Sequence, residues 1–175
     1  YIRKAITLEP ENIFYRLKLA SLLEESFSAS AEGEYHSILS IDTNNTDALL
    51  GLARIVEKNF YEWLNSAKLF EENIVISFND DAMEDFYSAE MYYKKILIID
   101  SLNYLANTKL ALLYEAVDNN DESFLLLNRL VKNYPDSSEA HLNFGLVLYK
   151  LSRIEEANSH FLKAIDLMTY EQKNE

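Results

Sequence analysis

Apolar residues recur along this chain at offsets of three and four, in runs separated by short polar breaks. Those offsets put each run on one face of a helix. Two signatures alternate. The first is bulky apolar, small, two spacers, bulky apolar: Leu19-Ala20…Leu23, Leu52-Ala53…Val56, Leu110-Ala111…Tyr114 and Phe144-Gly145…Leu148. The second is small, three spacers, aromatic or Leu, two spacers, apolar or small: Ala31…Tyr35…Ile38, Ala89…Tyr93…Ile96, Ser123…Leu127…Leu130 and Ala157…Phe161…Ala164. The pattern predicts helix pairs whose small residues let two axes cross closely, with the bulky residues filling the gaps between pairs.

The last third repeats itself at an offset of 34 residues, so that Leu110-Ala111 falls on Phe144-Gly145 and Ser123 on Ala157. A fixed period of this length marks a stacked helical array, in which no unit buries its apolar face alone. The junctions are Glu9-Pro10-Glu11-Asn12, Asp42-Thr43-Asn44-Asn45, Asp100-Ser101-Leu102-Asn103 and Tyr134-Pro135-Asp136-Ser137. Proline ends a helix, and Asp, Asn, Ser and Thr cap the next one. Asn44-Asn45-Thr46 also spells a glycosylation sequon, which a junction cap explains better.

These residues resemble the tetratricopeptide repeat family. The family's Trp near the start of the first helix is absent, with Arg16, Leu49, Asn107 and His141 near that place. The resemblance implies an all-α solenoid of helix-turn-helix repeats, with antiparallel pairs wound into a right-handed superhelix and first helices lining its concave face. In this register Tyr1–Asn12 is the second helix of a truncated upstream repeat. Four repeats follow at Ile13–Asn45, Thr46–Asn103, Tyr104–Ser137 and Ser138 to about Thr169, then a polar tail, Tyr170–Glu175. The chain starts inside a predicted helix, and no capping helix is evident at either end, so it reads as a piece of a longer protein.

The second unit is about 24 residues longer than its neighbours, with the excess at about Asn59–Glu84. Leu52, Val56, Phe60, Trp63/Leu64, Ala67 and Phe70 keep a helical rhythm, so the simplest reading runs the first helix on to about Glu72. A separate helix after a bend at Lys58-Asn59 is the alternative. Ile74–Phe78 is ambiguous, and Asp81 with Glu84 can start the second helix. Aromatics at helical spacing are ordinarily core; the sharper expectation is a partner or dimer contact through Phe60, Trp63 and Phe70, with Trp63 as anchor.

Composition narrows the function. The chain has 175 residues, 16 Lys and Arg against 29 Asp and Glu, and a net charge of −13. Phosphate contacts by cations dominate nucleic-acid affinity, so no nucleic acid is expected, and anionic membranes are disfavoured. The acidity favours basic partners. No cysteine is present, which excludes disulfides and thiolate sites. No apolar run reaches the ~18–20 residues of a transmembrane segment. A soluble chain is expected, with the cytoplasm the preferred of the compartments left open.

No catalytic motif is recognisable. His36, His141 and His160 lack close metal-ligand spacing, although His141 and His160 fall on one hairpin. Asp118–Glu122 lacks the glycine and distal glutamate of a calcium loop and reads as a turn. No catalytic residue, cofactor or metal is expected.

The implied concave face carries Phe14, Leu17, Ser21 and Glu24, then Asp47, Leu50, Arg54 and Glu57, then Leu105, Thr108, Leu112 and Glu115, then Glu139, Leu142, Leu146 and Tyr149. Within it Phe14, Leu17, Leu50, Arg54, Leu105, Thr108, Leu112, Leu142, Leu146 and Tyr149 are the candidate partner-binding residues. Apolar positions mixed with acids suit a peptide or protein with apolar anchors and basic residues. One subset of the family grips chaperone tails through Lys, Arg and Asn. Arg54, Lys109 and Asn143 do not align with that set, so that specificity is not expected. The sequence reads as a noncatalytic protein-protein interaction scaffold, part of a larger protein or assembly. The alternatives are a substrate-positioning segment of an enzyme whose catalytic domain lies elsewhere, and a homo-oligomerisation module using the insertion. Oligomeric state is left open.

Overall fold

A computed structural model describes residues 1–25, 30–70 and 80–174, with side chains given for all of these but 67–70 and 171–174. Among the described residues the chain is all-α: α1 (Ile2–Leu8), α2 (Ile13–Glu25), α3 (Ser30–Ile41), α4 (Thr46–Phe70), α5 (Asp80–Ile99), α6 (Tyr104–Ala116), α7 (Asn120–Asn133), α8 (Ser138–Lys150) and α9 (Ile154–Asn174). The helices fall into two compact units, Tyr1–Ile99 and Asp100–Glu175. In the first, α2 packs on α3 and α4 on α5, and α3 also packs on α4. In the second, α6 packs on α7, α7 on α8 and α8 on α9. This is a helix-turn-helix repeat fold.

The small residues sit where the hairpins close. Ala20, Ala53, Ala31 and Ala89 are buried in the first unit, and Ala111, Ser123 and Ala157 in the second. Gly145 completes the set: a Cβ there would lie 2.6 Å from the Phe161 ring. The bulky positions fill the cores, with Tyr35, Ile38 and Leu52 in one and Leu127, Leu130, Phe144 and Leu148 in the other.

Each junction ends on a working cap. Asn12 Oδ1 accepts from the Tyr15 amide (3.3 Å), Asn45 Oδ1 from Ala48 (3.1 Å), Asn103 Oδ1 from Ala106 (3.0 Å) and Ser137 Oγ from Ala140 (3.1 Å). Each satisfies an amide that the helix start leaves free.

The missing Trp has substitutes. Arg16 Nε donates to the Pro10 carbonyl (2.7 Å), Asn107 Nδ2 to Ser101 (3.1 Å) and His141 Nε2 to Pro135 (3.0 Å), each reaching six residues back. Three different side chains thus tie the same helix to the junction before it. The second helix holds each in turn: Arg16 on Glu34 (2.9 Å), Asn107 on Arg129 (2.6 Å), His141 on His160 (2.8 Å between Nδ1 atoms). The fourth position, Leu49, is apolar and buried.

The geometry assigns the histidine protons. His141 must carry its proton on Nε2 to donate to Pro135, so its Nδ1 accepts from His160 Nδ1–H. Burial holds the His160 imidazole below its ordinary value, assisted by His141 and opposed by Glu156. The folded chain therefore resists protonation there more than the unfolded chain does. The stability tied to this group is complete above the ordinary histidine value and is lost as pH falls through the folded one. Thermal unfolding should shift to lower temperature between pH 7.5 and pH 5, and His160→Gln should flatten that dependence.

The long second hairpin is one continuous α4 of 25 residues against an α5 of 20. Phe60 and Leu64 are buried, as are Ala82 and Phe86 on α5, and the Phe60 and Phe86 ring centroids are 5.7 Å apart. The added turns therefore bury Phe60 and Leu64 of that stripe against α5. Helix α5 begins at Asp80, with Asp80 and Asp81 in its first turn, where negative charge is favourable. Residues 71–79, with the ambiguous Ile74–Phe78, lie outside the described residues.

Asp118 and Ser152, one period apart, end α6 and α8 with φ of 57° and 60°. Asn119 N–H bonds back to the Tyr114 carbonyl and Arg153 N–H to Leu148, both at 2.9 Å. This closing motif normally places glycine at the left-handed residue. The turn expected at Asp118–Glu122 is confined to Val117–Asn119, and Asn120, Asp121 and Glu122 already belong to the first turn of α7. Asp118→Gly and Ser152→Gly should each raise unfolding free energy by about 0.5–1 kcal/mol in urea melts, because the Cβ penalty disappears.

Candidate functional site

In the first unit, α2 and α4 lie side by side with α3 beneath them. Leu17 and Ser21 from α2, Asp47, Leu50 and Arg54 from α4, and Tyr35 from α3 line a cleft of about 210 Å³. Leu17, Leu50 and Arg54 are candidates from the implied concave face, and the structure brings them together. Phe14 is largely exposed, edge-on to its neighbour Tyr15, and does not line the cleft.

One polar cluster fixes the cleft wall. Arg54 Nε and Nη2 donate to the two oxygens of Glu24 at 2.8 and 2.9 Å, and the Tyr35 hydroxyl donates to Glu24 Oε2 at 2.6 Å. A bidentate fork of this kind holds both side chains in one geometry. The Arg54 hydrogen bonds, seconded by Tyr35, hold the Glu24 carboxyl below its usual range against the opposing effect of burial. Burial first, then Glu24, pushes the Tyr35 phenol up to about 12. Arg54 is shifted further upward by Glu24. The three groups keep one charge state at any physiological pH.

Gly51 explains how Tyr35 reaches that place. A Cβ at Gly51 would fall inside the space of the Tyr35 ring. The missing side chain lets the ring pass beneath α4 and present its hydroxyl to Glu24.

The same couple recurs one repeat later in a buried setting. Tyr93 OH donates to Glu57 Oε2 at 2.7 Å, and Glu57 is only 5% exposed. Glu57 is therefore part of the interior, not of the surface expected for it. Burial, then Glu57, drives the Tyr93 phenol upward.

In the second unit Leu142, Leu146 and Tyr149 form an exposed stripe on α8, 37%, 43% and 60% accessible, and Leu105 on α6 is exposed at 42%. The two helices are tied at both ends. Tyr104 OH meets Ser137 Oγ (2.8 Å) and donates to Glu139 (3.0 Å), while Lys150 Nζ donates to Glu115 (3.1 Å). Leu112 is half-buried. Thr108 is 3% exposed, so it offers no surface and drops out of the candidate row.

The candidate insertion contacts separate as well. Phe60 is fully buried against Phe86 and belongs to the core of its hairpin, which corrects its reading as a partner contact. Trp63 is half-buried, and the Phe70 side chain lies outside the described residues. Of the residues weighed for a chaperone-tail clamp, Arg54 is engaged by Glu24 and Asn143 is buried.

The sequence reading missed Tyr35 as the cleft floor and Gly51 as its cause. The available signal was the pairing of Tyr35 with Glu24 and of Tyr93 with Glu57, at equal repeat positions. Repeats with Leu127 or Phe161 at the tyrosine site do not form it.

Together the hairpins, the repeated caps and the small-residue crossings define a helix-turn-helix repeat fold, the architecture that the tetratricopeptide resemblance implies. Solved structures agree. The chain is similar to a crystal structure of MamA (TM-score 0.70, 16% identity, 98% of this chain and 87% of that one). It is also similar to the 41-end form of MamA from Desulfovibrio magneticus RS-1 (TM-score 0.74, 13% identity, 97% and 83%) and to the MamA RS-1 ArsTM double mutant (TM-score 0.75, 12% identity, 97% and 83%). At these identities the likeness shows the fold. No protein-family model matches the chain, and no curated protein matches it. Among the described residues, no helix is long and apolar enough to cross a membrane.

Proposed function

We propose that the chain is a noncatalytic scaffold that holds a segment of another protein against the first-helix faces of its repeats, the groove that the family resemblance implies. The observation that carries this reading is the exposed stripe Leu142, Leu146 and Tyr149 with Leu105 beside it. Their supporting helices are locked by side-chain ties, so the surface is formed before a partner arrives and little ordering entropy opposes binding. Apolar anchors among acidic neighbours favour a partner with apolar and basic residues. Fold alone does not assign a partner.

The test is selection of binders from a random peptide library on the whole chain, followed by titration against Leu142→Glu/Leu146→Glu. These side chains are exposed, so the variant keeps its fold by circular dichroism. Selected peptides that use this row should lose about tenfold or more in affinity, since a charge placed opposite an apolar anchor costs at least about 1.4 kcal/mol. Equal affinity for both proteins by every selected peptide would contradict the reading. Assembly through the insertion is less favoured, because Phe60 is already used inside its own hairpin.

A further inference from the structure

We propose that the cleft between α2 and α4 is a subsite for a single lysine or arginine side chain of the bound segment. The proposal rests on the scaffold reading and adds the chemistry of one anchor.

The size fits one side chain, about 210 Å³. The walls fit its stem, because Leu17 and Leu50 offer apolar surface on either side and a lysine or arginine lays its methylenes along such surface while its head stays wet. The charge fits its head. Of the three ionised groups, Arg54 and Glu24 already neutralise each other through two hydrogen bonds. Among the described residues no ion pair reaches the exposed Asp47, which leaves the cleft with one uncompensated negative charge. The Ser21 hydroxyl supplies a further acceptor.

Other occupants fit less well. A carboxylate would approach Asp47 and Glu24 while the Arg54 donors that face Glu24 are engaged. An apolar side chain would fill the same space but take water from Asp47 without replacing it. The net charge of −13 adds a field that draws a cationic segment to the chain and repels an acidic one.

The experiment titrates the ¹⁵N-labelled whole chain with four blocked single residues: N-acetyl-arginine, -lysine, -norleucine and -glutamate N-methylamides. Amide shifts are followed at Ser21, Asp47, Gly51 and Arg54. The arginine and lysine probes should saturate there about three- to fivefold more tightly than norleucine, the range of an exposed ion pair. Asp47→Asn should bring them to the norleucine level, and 0.5 M salt should do much the same. Glutamate should bind least. Tighter binding of glutamate or norleucine, equal binding to Asp47→Asn, or no saturable shift at these amides would overturn the subsite. That failure is separable from failure of the scaffold reading. A silent cleft, with selected peptides still weakened by Leu142→Glu/Leu146→Glu, removes the subsite alone.

Discussion

Phe60→Ala should destabilise the first unit by about 3–5 kcal/mol, the range for removing a fully buried aromatic. Phe60 has no accessible surface and lies against Phe86 near the middle of the 25-residue α4. The neighbouring side chains, Leu64 and Ala82, are buried too, and a helix backbone cannot collapse to refill so large a gap. The loss should concentrate in the far half of the α4–α5 hairpin. Urea denaturation gives the total, and hydrogen exchange should show α4 and α5 amides opening before those of α6–α9. A change below about 1 kcal/mol would mean that the extended hairpin is not held by its aromatic stripe.

Gly51→Ala should produce the second large effect, at the upper end of the about 1–3 kcal/mol that overpacking costs. The added methyl meets the ring of Tyr35, which is 2% exposed and fixed at its tip by Glu24. To make room the ring must leave Glu24, so the Tyr35–Glu24 hydrogen bond weakens as well. The variant should also lower the Tyr35 phenol from about 12, because a displaced ring would be less buried and Glu24 would act on it less strongly. Tyrosine absorbance titration separates that outcome from simple loss of packing. Tyr35→Phe in the Gly51→Ala background should add little, since both changes act on one contact.

The residues that decide the fold were legible because spacing alone assigns them to faces. Ala20, Ala111, Ala31 and Ala157 had to be at helix crossings once the two signatures alternated, and the structure buries all four. The junction residues were legible for a similar reason, since Asn12, Asn45, Asn103 and Ser137 stand one position before a helix and do what such residues do. Helix α4 continued through Lys58 as its rhythm of apolar residues indicated.

What the sequence hid depends on partners across the hairpin. Glu57 and Glu24 occupy equal repeat positions, yet Glu57 is covered while Glu24 holds two residues of a cleft, Tyr35 and Arg54. Phe60 looked available because nothing in its own helix shows that α5 brings Phe86 against it. The roles of Arg16, Asn107 and His141 were hidden by their chemical dissimilarity. Only the shared reach to a carbonyl six residues back makes them equivalent.

The most direct test of the scaffold account is methyl mapping with a selected peptide bound to the whole chain. Leucine and isoleucine methyls report both surfaces in one spectrum. Binding on the first-helix faces should shift Leu17 and Leu50, or Leu105, Leu142 and Leu146, while Leu125, Leu162 and Ile165, exposed on second helices, stay in place. Shifts confined to Leu125, Leu162 and Ile165 would contradict it.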